Sequence, residues 1–305
     1  MRLKLAKKVG FCFGVKRAVE MAEEVLKKKG KAYSLGSIIH NKQVVEGLSK
    51  RGLEVIKSID EADGGVLVIS SHGISPKTAG KISKRSLKLV DTTCPFVRNA
   101  QETARSLGKE GYTVIIVGDV NHPEVKALYD FAGKKAHVVR DASGFKSLKL
   151  KPNKRIGILS QTTQSMDNFL GVVRAIIDSG PEGLRVFNTI CKDAQLRQAA
   201  ARDISREVDL MLIVGGKNSA NTKRLFEVCK KIRRKSYLIE TEGDLRSKWF
   251  KDVCVVGITS GASTPDNIVR RVAKVLKSSV LKTEKKGRLQ IVHGKREEQH
   301  RSGKD

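Results

Sequence analysis

The stretch VDTTCPFVRNAQETA, residues 90–104, contains the pattern from which the fold can be worked out. A short apolar run ends at Asp91, two threonines follow, and Cys94 then stands directly before a proline and a helix-like segment. Proline is favoured in a first helical turn because its missing N–H would have no partner there. Cys94 is therefore predicted at a helix N-terminus, where the helix dipole and the free amides favour a thiolate over a thiol.

Two other cysteines have similar surroundings. Cys12 lies in VGFCFGVKRAVEM and Cys191 lies in NTICKDAQLRQAA, and each precedes an amphipathic helical pattern that carries a basic residue. The three cysteines are 82 and 97 residues apart along the chain. This spacing indicates three repeats of about 90 residues, each with one cysteine at the start of a helix.

Six short, apolar and β-branched runs have the character of buried parallel strands. Each run ends in a polar loop and is followed by a helical pattern, which predicts βαβ units. The runs with their loops are AYSLGSIIHN, GGVLVISSHGIS, GYTVIIVGDVNHPE, RIGILSQTTQS, VDLMLIVGGKNSANT and DVCVVGITSGASTPD. We predict an α/β fold of three repeats with small parallel sheets, and we expect the strand-end loops to meet at one central cavity.

The repeats predict a domain organisation. The first α/β repeat is placed at residues 1–95, with an N-terminal strand that is free to join the third repeat. The second repeat spans residues 96–191 and the third spans residues 192–281. Residues 282–305 show little periodicity and are predicted to be a basic, mobile C-terminal tail.

Composition limits the class of protein. The chain carries 60 Lys and Arg against 32 Asp and Glu, a net charge of +28 that suits an anionic ligand or partner. Aromatic residues make up only 5% of the chain, which disfavours a nucleic-acid-stacking surface. A signal-peptide pattern and a membrane-length apolar run are both missing from the sequence, and its five cysteines do not suggest a disulfide framework. We therefore expect a cytoplasmic protein without membrane or nucleic-acid partners.

The cysteines divide into two groups. Cys229 and Cys254 lie in apolar patterns and are predicted to be buried small side chains. Cys12, Cys94 and Cys191 do not follow the CxxC spacing of zinc sites, and three thiolates without a fourth indicate a metal centre open to substrate. An iron–sulfur cubane is usually held by four cysteines, so ligation by three leaves one iron free. Two alternatives remain at this point: a structural zinc with a histidine ligand, and three unrelated buried cysteines.

Polar side chains in the strand-end loops form a second group of candidates. Their donor groups, together with helix N-termini, suit a phosphate or diphosphate. Neither a P-loop nor a GxGxxG motif is present. Glu124, in NHPEV, could transfer a proton, although an acidic residue in a first helical turn is also a common stabilising feature. The proposed ring of donors consists of His40, His72, His122, Thr162, Ser219, Asn221 and Ser263.

The motifs GFCFGVKRA, IIHN, SSHGIS, DTTCP, NHPEV, QTTQS, TIC, GGKNSAN and GASTPD occur in an order that resembles the 4-hydroxy-3-methylbut-2-enyl diphosphate reductases, the LytB family. The resemblance runs from residue 3 to residue 277. It implies a pseudo-threefold trefoil around one [4Fe–4S] cluster per chain, with one iron not ligated by cysteine. It also implies a two-electron reductive dehydroxylation that yields isopentenyl and dimethylallyl diphosphate, the last step of the methylerythritol phosphate pathway. A ferredoxin or flavodoxin would be the transient electron donor.

The resemblance assigns roles residue by residue. Glu124 matches the proton donor, and Thr162 matches a residue near the substrate hydroxyl. Two departures are that Ala220 stands where the family usually has a hydroxyl residue, and Ala194 where it commonly has threonine. The implied cluster ligands are Cys12, Cys94 and Cys191, and the implied substrate-binding residues are His40, His72, His122, Thr162, Ser219, Ala220, Asn221 and Ser263.

Two other functions fit parts of the pattern. A nucleic-acid-binding protein would use the basic charge, and it would contain no iron. A zinc-dependent hydrolase of a phosphorylated substrate would use the histidines and cysteines, and it would contain zinc without sulfide.

Overall fold

The structure, a computed structural model, describes residues 1–150 and 154–278, in which strands and helices alternate. The first part contains β1 (Arg2–Leu5), α1 (Phe13–Lys29), β2 (Ala32–Leu35), α2 (Lys42–Ser49), β3 (Leu53–Ile56), β4 (Gly65–Ile69), α3 (Pro76–Ile82) and β5 (Leu87–Asp91). The second contains α4 (Pro95–Lys109), β6 (Thr113–Val117), α5 (Pro123–Ala132), β7 (Ala136–Val139), α6 (Ala142–Ser147), β8 (Arg155–Ser160), α7 (Met166–Asp178) and β9 (Gly183–Val186). The third contains α8 (Lys192–Arg206), β10 (Leu210–Val214), α9 (Ala220–Ile232), β11 (Ser236–Ile239), β12 (Val255–Ser260) and a final helix over residues 266–278.

The strands of the described residues form three four-stranded sheets in which every pairing is parallel. The strand orders are β3-β2-β4-β5, β7-β6-β8-β9 and β11-β10-β12-β1. The third sheet takes its edge strand from the N-terminus, because Arg2 pairs with Val255 and Leu5 pairs with Ile258. Each sheet therefore has the same order of four positions, and the three sheets are related by a pseudo-threefold arrangement.

Helices cover both faces of each sheet, which explains the continuous apolar runs in the sequence. All five residues of β6 are buried, for example. Ile115 packs in a cluster with Phe169 of α7, whereas its neighbour Ile116 packs in a second cluster with Leu107 of α4. Because successive side chains of a strand point to opposite faces, both faces need apolar residues.

Three helices connect one sheet to the next. Helix α4 follows β5 of one sheet, but its residues Ala100 and Ala104 pack beside β6 of another. Helix α8 follows β9 and places Ala201 beside β10, and helix α1 follows β1 and places Ala22 in the core that contains Val68 of β4. The residues before these helices therefore lie where the chain passes from one sheet to the next.

The predicted α/β fold with three small parallel sheets in a pseudo-threefold arrangement is confirmed. The domain boundaries at residues 95, 191 and 281 remain a prediction. The predicted tail, residues 282–305, lies outside the described residues. In the part of the chain that the structure describes, we find no helix with the length and apolar character needed to span a membrane.

Candidate active site

The three repeated cysteines each cap the N-terminus of a connecting helix. Cys12 precedes α1, Cys94 precedes α4 and Cys191 precedes α8, and all three have extended backbone conformations. The Sγ atom of Cys12 accepts a hydrogen bond of 3.4 Å from the amide of Val15. The predicted positions of these cysteines at helix starts agree with the structure.

One backbone hydrogen bond recurs at each cysteine. The amide of Cys94 donates to the carbonyl of Ser71 at 3.0 Å, and the amide of Cys191 donates to the carbonyl of Thr162 at 2.8 Å. The amide of Cys12 donates to the carbonyl of Ala262 at 3.0 Å. Ser71, Thr162 and Ala262 are each two residues beyond the end of the sheet's third strand, β4, β8 or β12. The three cysteines are therefore held at equivalent positions against three strand-end loops.

All three cysteines line one central cavity, whose volume is about 100 Å³. Helix α1 lies close to Cys94, since a Cβ atom added to Gly14 would come within 2.5 Å of the Cys94 Sγ. A side chain at position 14 would therefore collide with a cysteine of the cavity wall.

The thiol groups differ from the expectation that a helix N-terminus favours thiolate. Burial raises the pKa of Cys12, Cys94 and Cys191 above the usual thiol value. First-turn amides act in the opposite direction, but the loss of hydration is the larger effect. The helix dipole alone therefore does not ionise these cysteines, and a bound cation would be needed to hold them as thiolates.

Three histidines meet in the cavity. The ring centroids of His40 and His72 are 4.3 Å apart, and the ring of His122 lies 5.4 Å and 5.3 Å from them. Burial lowers the pKa of all three, to about 4 for His122, with smaller contributions from the neighbouring charges. The imidazoles are therefore neutral near pH 7, and an anion bound among them would favour their protonation.

The tautomer of His122 follows from one hydrogen bond. Its Nδ1 atom accepts from the amide of Glu124 at 3.2 Å, which leaves the proton of the neutral ring on Nε2. His122 also caps the N-terminus of α5. Nδ1 thus stabilises the start of α5, and the N–H group at Nε2 is left as a hydrogen-bond donor.

The loop that ends at Ser219 contributes a helix N-terminus to the cavity. Ser219 caps α9 and accepts a 3.3 Å hydrogen bond from the amide of Thr222. Ser263 donates to the carbonyl of His40 at 3.0 Å, and a Cβ atom on Gly216 would approach that same carbonyl to 2.5 Å. The equivalent strands of the three sheets are β2, β6 and β10. Five residues beyond the ends of these strands lie His40, His122 and Ser219, respectively. The serine therefore occupies the place in the third repeat that histidines occupy in the other two.

Several polar atoms of the cavity are buried but have no hydrogen-bond partner among the described residues. They include Nε2 of His40 and both amide atoms of Asn221. Unpaired buried polar groups are costly, by about 1–3 kcal/mol each. A polar ligand would satisfy these atoms, and the adjacent N-terminus of α9 favours an anionic one.

Glu124 is bound to Thr162 through both carboxylate oxygens. The Thr162 amide donates to Oε1 at 2.6 Å, and the Thr162 hydroxyl donates to Oε2 at 2.9 Å. Only 1% of Glu124 is exposed, and this burial raises the pKa of its carboxyl to about 7 despite the two hydrogen bonds. At neutral pH a carboxyl with this pKa can hold a proton and release it. The carbonyl of Thr162 also accepts a hydrogen bond from the amide of Cys191. Thr162 therefore connects the Glu124 carboxyl to the backbone of Cys191.

The predicted site residues thus come together. The residues that line the cavity include Cys12, Cys94, Cys191, His40, His72, His122, Glu124, Thr162, Ser219, Ala220, Asn221 and Ser263. Ala194, the second departure from the family pattern, also lines it.

Thr163 is a cavity residue that was not predicted from the sequence. This residue lines the cavity and lies three residues beyond the end of β8, as His72 and Ser263 lie three residues beyond β4 and β12. The second threonine of QTTQS could have been found by counting from the strand end in each repeat.

A buried ion pair beside the cysteines was also missed. The Nε atom of Arg197 donates to Oδ2 of Asp193 at 2.6 Å, and the Arg197 side chain is only 1% exposed. Asp193 lines the cavity and also lies 3.7 Å from Nζ of Lys8. The i,i+4 spacing of Asp193 and Arg197 on a helix is the sequence signal for this pair.

The two remaining cysteines have different environments. Cys229 is fully buried, as predicted. The predicted burial of Cys254 is wrong: this residue is exposed. It precedes β12 rather than lying within it, and its amide donates to a carboxylate oxygen of Asp209.

The family follows from comparison with known proteins. A sequence model described as LytB protein matches residues 3–277. The 4-hydroxy-3-methylbut-2-enyl diphosphate reductase of Pelobacter propionicus is 44% identical over 92% of this chain and all of the relative, and that of Geobacter sulfurreducens is 44% identical over 89% of this chain and 97% of the relative. The chain belongs to the LytB family.

Two solved structures resemble the fold. The E-1-hydroxy-2-methyl-but-2-enyl-4-diphosphate reductase from Plasmodium falciparum has a TM-score of 0.86 and 33% identity, covering 90% of this chain and 87% of that one. A (E)-4-hydroxy-3-methyl-but-2-enyl diphosphate reductase, described as the terminal enzyme of the non-mevalonate pathway, has a TM-score of 0.64 and 41% identity. It covers 91% of this chain and all of that one.

Proposed function

We propose that this chain is a 4-hydroxy-3-methylbut-2-enyl diphosphate reductase that forms isopentenyl and dimethylallyl diphosphate at the end of the non-mevalonate pathway. The observation that carries the proposal is the repeated anchoring of three cysteines around one cavity that also holds Glu124. Relatives with this name match nearly the whole chain. The proposed compartment is the cytoplasm.

The cofactor in this proposal is one [4Fe–4S] cluster held by Cys12, Cys94 and Cys191. The three side chains come from three different passages between sheets, are free thiols and line the same cavity, which suits a group with three thiolate ligands. When bound, the cluster supplies single electrons and, at the iron without a cysteine, a Lewis acid for the substrate hydroxyl.

The diphosphate is bound by the polar loops. The side chains of His40, Asn221 and Ser219 offer donors near the N-terminus of α9, and the unpaired Nε2 of His40 and Nδ2 of Asn221 gain acceptors when the diphosphate binds. Protonation of the neutral His40 imidazole on binding would add charge where the diphosphate needs it. His72, His122 and Ser263 complete the ring, and Ala220 contributes only its amide.

Glu124 delivers protons. Reductive dehydroxylation consumes two electrons and two protons, breaks the C–O bond, forms a C–H bond and releases water. Thr162 holds both oxygens of the Glu124 carboxyl, so the group cannot turn away from the cavity. With a pKa of about 7, the carboxyl is protonated often enough at neutral pH to give its proton to the leaving hydroxyl.

The histidine cluster provides one observation for a second candidate function. One nitrogen of each ring of His40, His72 and His122 lies within 4.8 Å of the others, so they could hold zinc. A zinc site there would make the chain a hydrolase of a phosphorylated substrate, with the cysteines unrelated to catalysis.

Anaerobic purification tests the assignment. We expect about four irons and four acid-labile sulfides per chain, and turnover of 4-hydroxy-3-methylbut-2-enyl diphosphate with a reduced viologen dye. One zinc per chain without sulfide, and phosphate release in place of reduction, would instead establish the hydrolase.

Substitution of Ala220 by serine is expected to tighten substrate binding. Ala220 lies in the first turn of α9 and lines the cavity, so the added hydroxyl supplies the side-chain donor that this chain lacks. One hydrogen bond contributes about 1 kcal/mol, so Kd for the substrate should fall about fivefold. Calorimetric titration with substrate measures this Kd. The control is Ala199→Ser, which adds the same hydroxyl at an exposed position on α8. An equal Kd in both variants would remove position 220 from the diphosphate contacts.

A further inference from the structure

A second cavity adjoins the central one. It has a volume of about 570 Å³ and lies between the loops that follow β6 and β8 and one face of α9. We call this space the side cavity. Thr163 and Ala220 line both cavities, so the two spaces meet at these residues. On the α9 side the shared residue carries only a methyl group, so a flexible side chain in the side cavity has little to cross to reach the central cavity.

Lys223 of α9 lines the side cavity but not the central one. It is three residues after Ala220 and four residues after Ser219, so the three residues lie on the same face of the helix. Side chains of a helix lean toward its N-terminus, and a lysine has a flexible four-carbon stem. The ammonium group of Lys223 can therefore extend over Ala220 toward Ser219.

No neighbouring carboxylate holds the Lys223 side chain. Lys223 is exposed, and it forms no ion pair in the part of the chain that the structure describes. Glu227, one turn further along α9, pairs with Arg224 instead, at 2.6 Å. The ammonium group is therefore available to a ligand. The carboxylates that line the side cavity with it are Asp119, Asp141, Asp167 and Glu227.

The positive charge of Lys223 acts on histidines of the central cavity. Burial is the main cause of the lowered pKa of His40, and the charge of Lys223 lowers this pKa further. At His122, burial and the neighbouring His40 lower the pKa, and Lys223 makes a smaller contribution in the same direction. The ammonium group thus lies near enough to influence two rings of the proposed diphosphate site. A positive charge that disfavours a second cation at that place favours an anion there.

We propose that Lys223 is a further substrate-binding residue of this chain, whose ammonium group closes over the diphosphate from the side cavity. This inference rests on the proposed function, which places a diphosphate among His40, Ser219 and Asn221. A diphosphate carries several negative charges, whereas the lowered pKa values leave the imidazoles uncharged in the free protein near neutral pH. Lys223 supplies a full positive charge beside Ala220, the position that lacks a hydroxyl donor.

The role assigned to Lys223 is in binding and not in the chemical step. Its ammonium group would contact the diphosphate, while Glu124 delivers protons to the other end of the substrate. An interaction made equally with the bound substrate and with the transition state changes KM and leaves kcat unchanged. Loss of the Lys223 charge should therefore raise KM and Kd, and kcat should stay within about twofold of the parent.

The test replaces Lys223 by glutamine and by arginine in the holoenzyme. Both residues are good helix formers, so α9 should keep its structure. The matched control is Lys230→Gln, which removes the same charge from an exposed position on α9 that lines neither cavity, about 10 Å along the helix. Calorimetry at low and high salt measures Kd for inorganic diphosphate and for the substrate, and viologen-driven rates give KM and kcat.

We expect Kd for inorganic diphosphate and for the substrate to rise about tenfold in Lys223→Gln, as for the loss of one hydrogen bond to a charged group. The salt dependence of binding should also become weaker, because a cation has been removed from the site. Lys223→Arg, which keeps the charge, should bind within about threefold of the parent, and Lys230→Gln within about twofold.

Three results would overturn the role of Lys223 while the reductase assignment stands. The first is a Kd in Lys223→Gln equal to that of the parent. The second is an equal rise of Kd in Lys230→Gln, which would indicate an effect of net charge alone. The third is a failure of Lys223→Arg to restore binding, which would show that the charge is not what the ligand needs. A parent protein without iron and without viologen-driven turnover would instead contradict the proposed function.

Discussion

Replacement of Glu124 by glutamine is expected to reduce turnover by about 10²–10⁴-fold, the usual contribution of a general acid. The carboxyl is buried and has a pKa of about 7, whereas an amide has no proton to give in this range. The remaining activity should no longer show the decline of the parent enzyme as pH rises above about 7, since that decline reports deprotonation of Glu124. Viologen-driven steady-state rates between pH 6 and 9 measure both effects.

The glutamine variant should keep the geometry of the site. Its amide oxygen can accept from the Thr162 amide, and its NH₂ group can donate to the Thr162 hydroxyl, which then acts as acceptor. Iron content and substrate affinity should therefore stay close to those of the parent. Glu110→Gln, which removes a carboxylate from a surface ion pair with Arg185, is the control and should retain full activity. Turnover of Glu124→Gln within tenfold of the parent would remove Glu124 as the proton donor.

Much of the fold could be predicted from local patterns. The runs that became β6 and β10 are apolar throughout, and such runs occur where helices cover both faces of a sheet. Pro95 after Cys94 predicted the start of α4, which the structure begins at that proline. These features depend on a few neighbouring residues, and for that reason the sequence alone was sufficient.

The site depended on contacts that local patterns do not contain. The anchoring of Cys12 to the carbonyl of Ala262 joins residues 250 positions apart, and only the pairing of β1 with β12 brings them together. The pKa of the cysteines was expected to fall at helix N-termini, but burial reversed the direction, and burial is set by all three repeats together. Cys254 was predicted to be buried because its apolar neighbours suggested that it lies within a strand. The strand β12 begins at Val255, the next residue, and Cys254 is exposed.

Replacement of Cys94 by serine is expected to remove the cluster without unfolding the chain. Serine is a preferred residue at a helix N-cap, so α4 should keep its N-terminus and the backbone hydrogen bond to Ser71. A hydroxyl does not replace a thiolate as an iron–sulfur ligand at neutral pH, because its proton is held far more tightly. Iron should fall from about four to below one per chain, and viologen-driven turnover should fall at least a hundredfold.

Two cysteines outside the cavity provide matched controls for this loss. Cys254→Ser changes an exposed thiol and should alter neither iron content nor thermal stability. Cys229→Ser places a hydroxyl in a fully buried position, so it should lower the free energy of unfolding by about 1–3 kcal/mol while iron stays bound. Iron loss confined to Cys94→Ser then reports lost ligation, because the less stable Cys229 variant keeps its metal. If Cys94→Ser instead retains full iron and turnover, the three cysteines do not hold the cluster together.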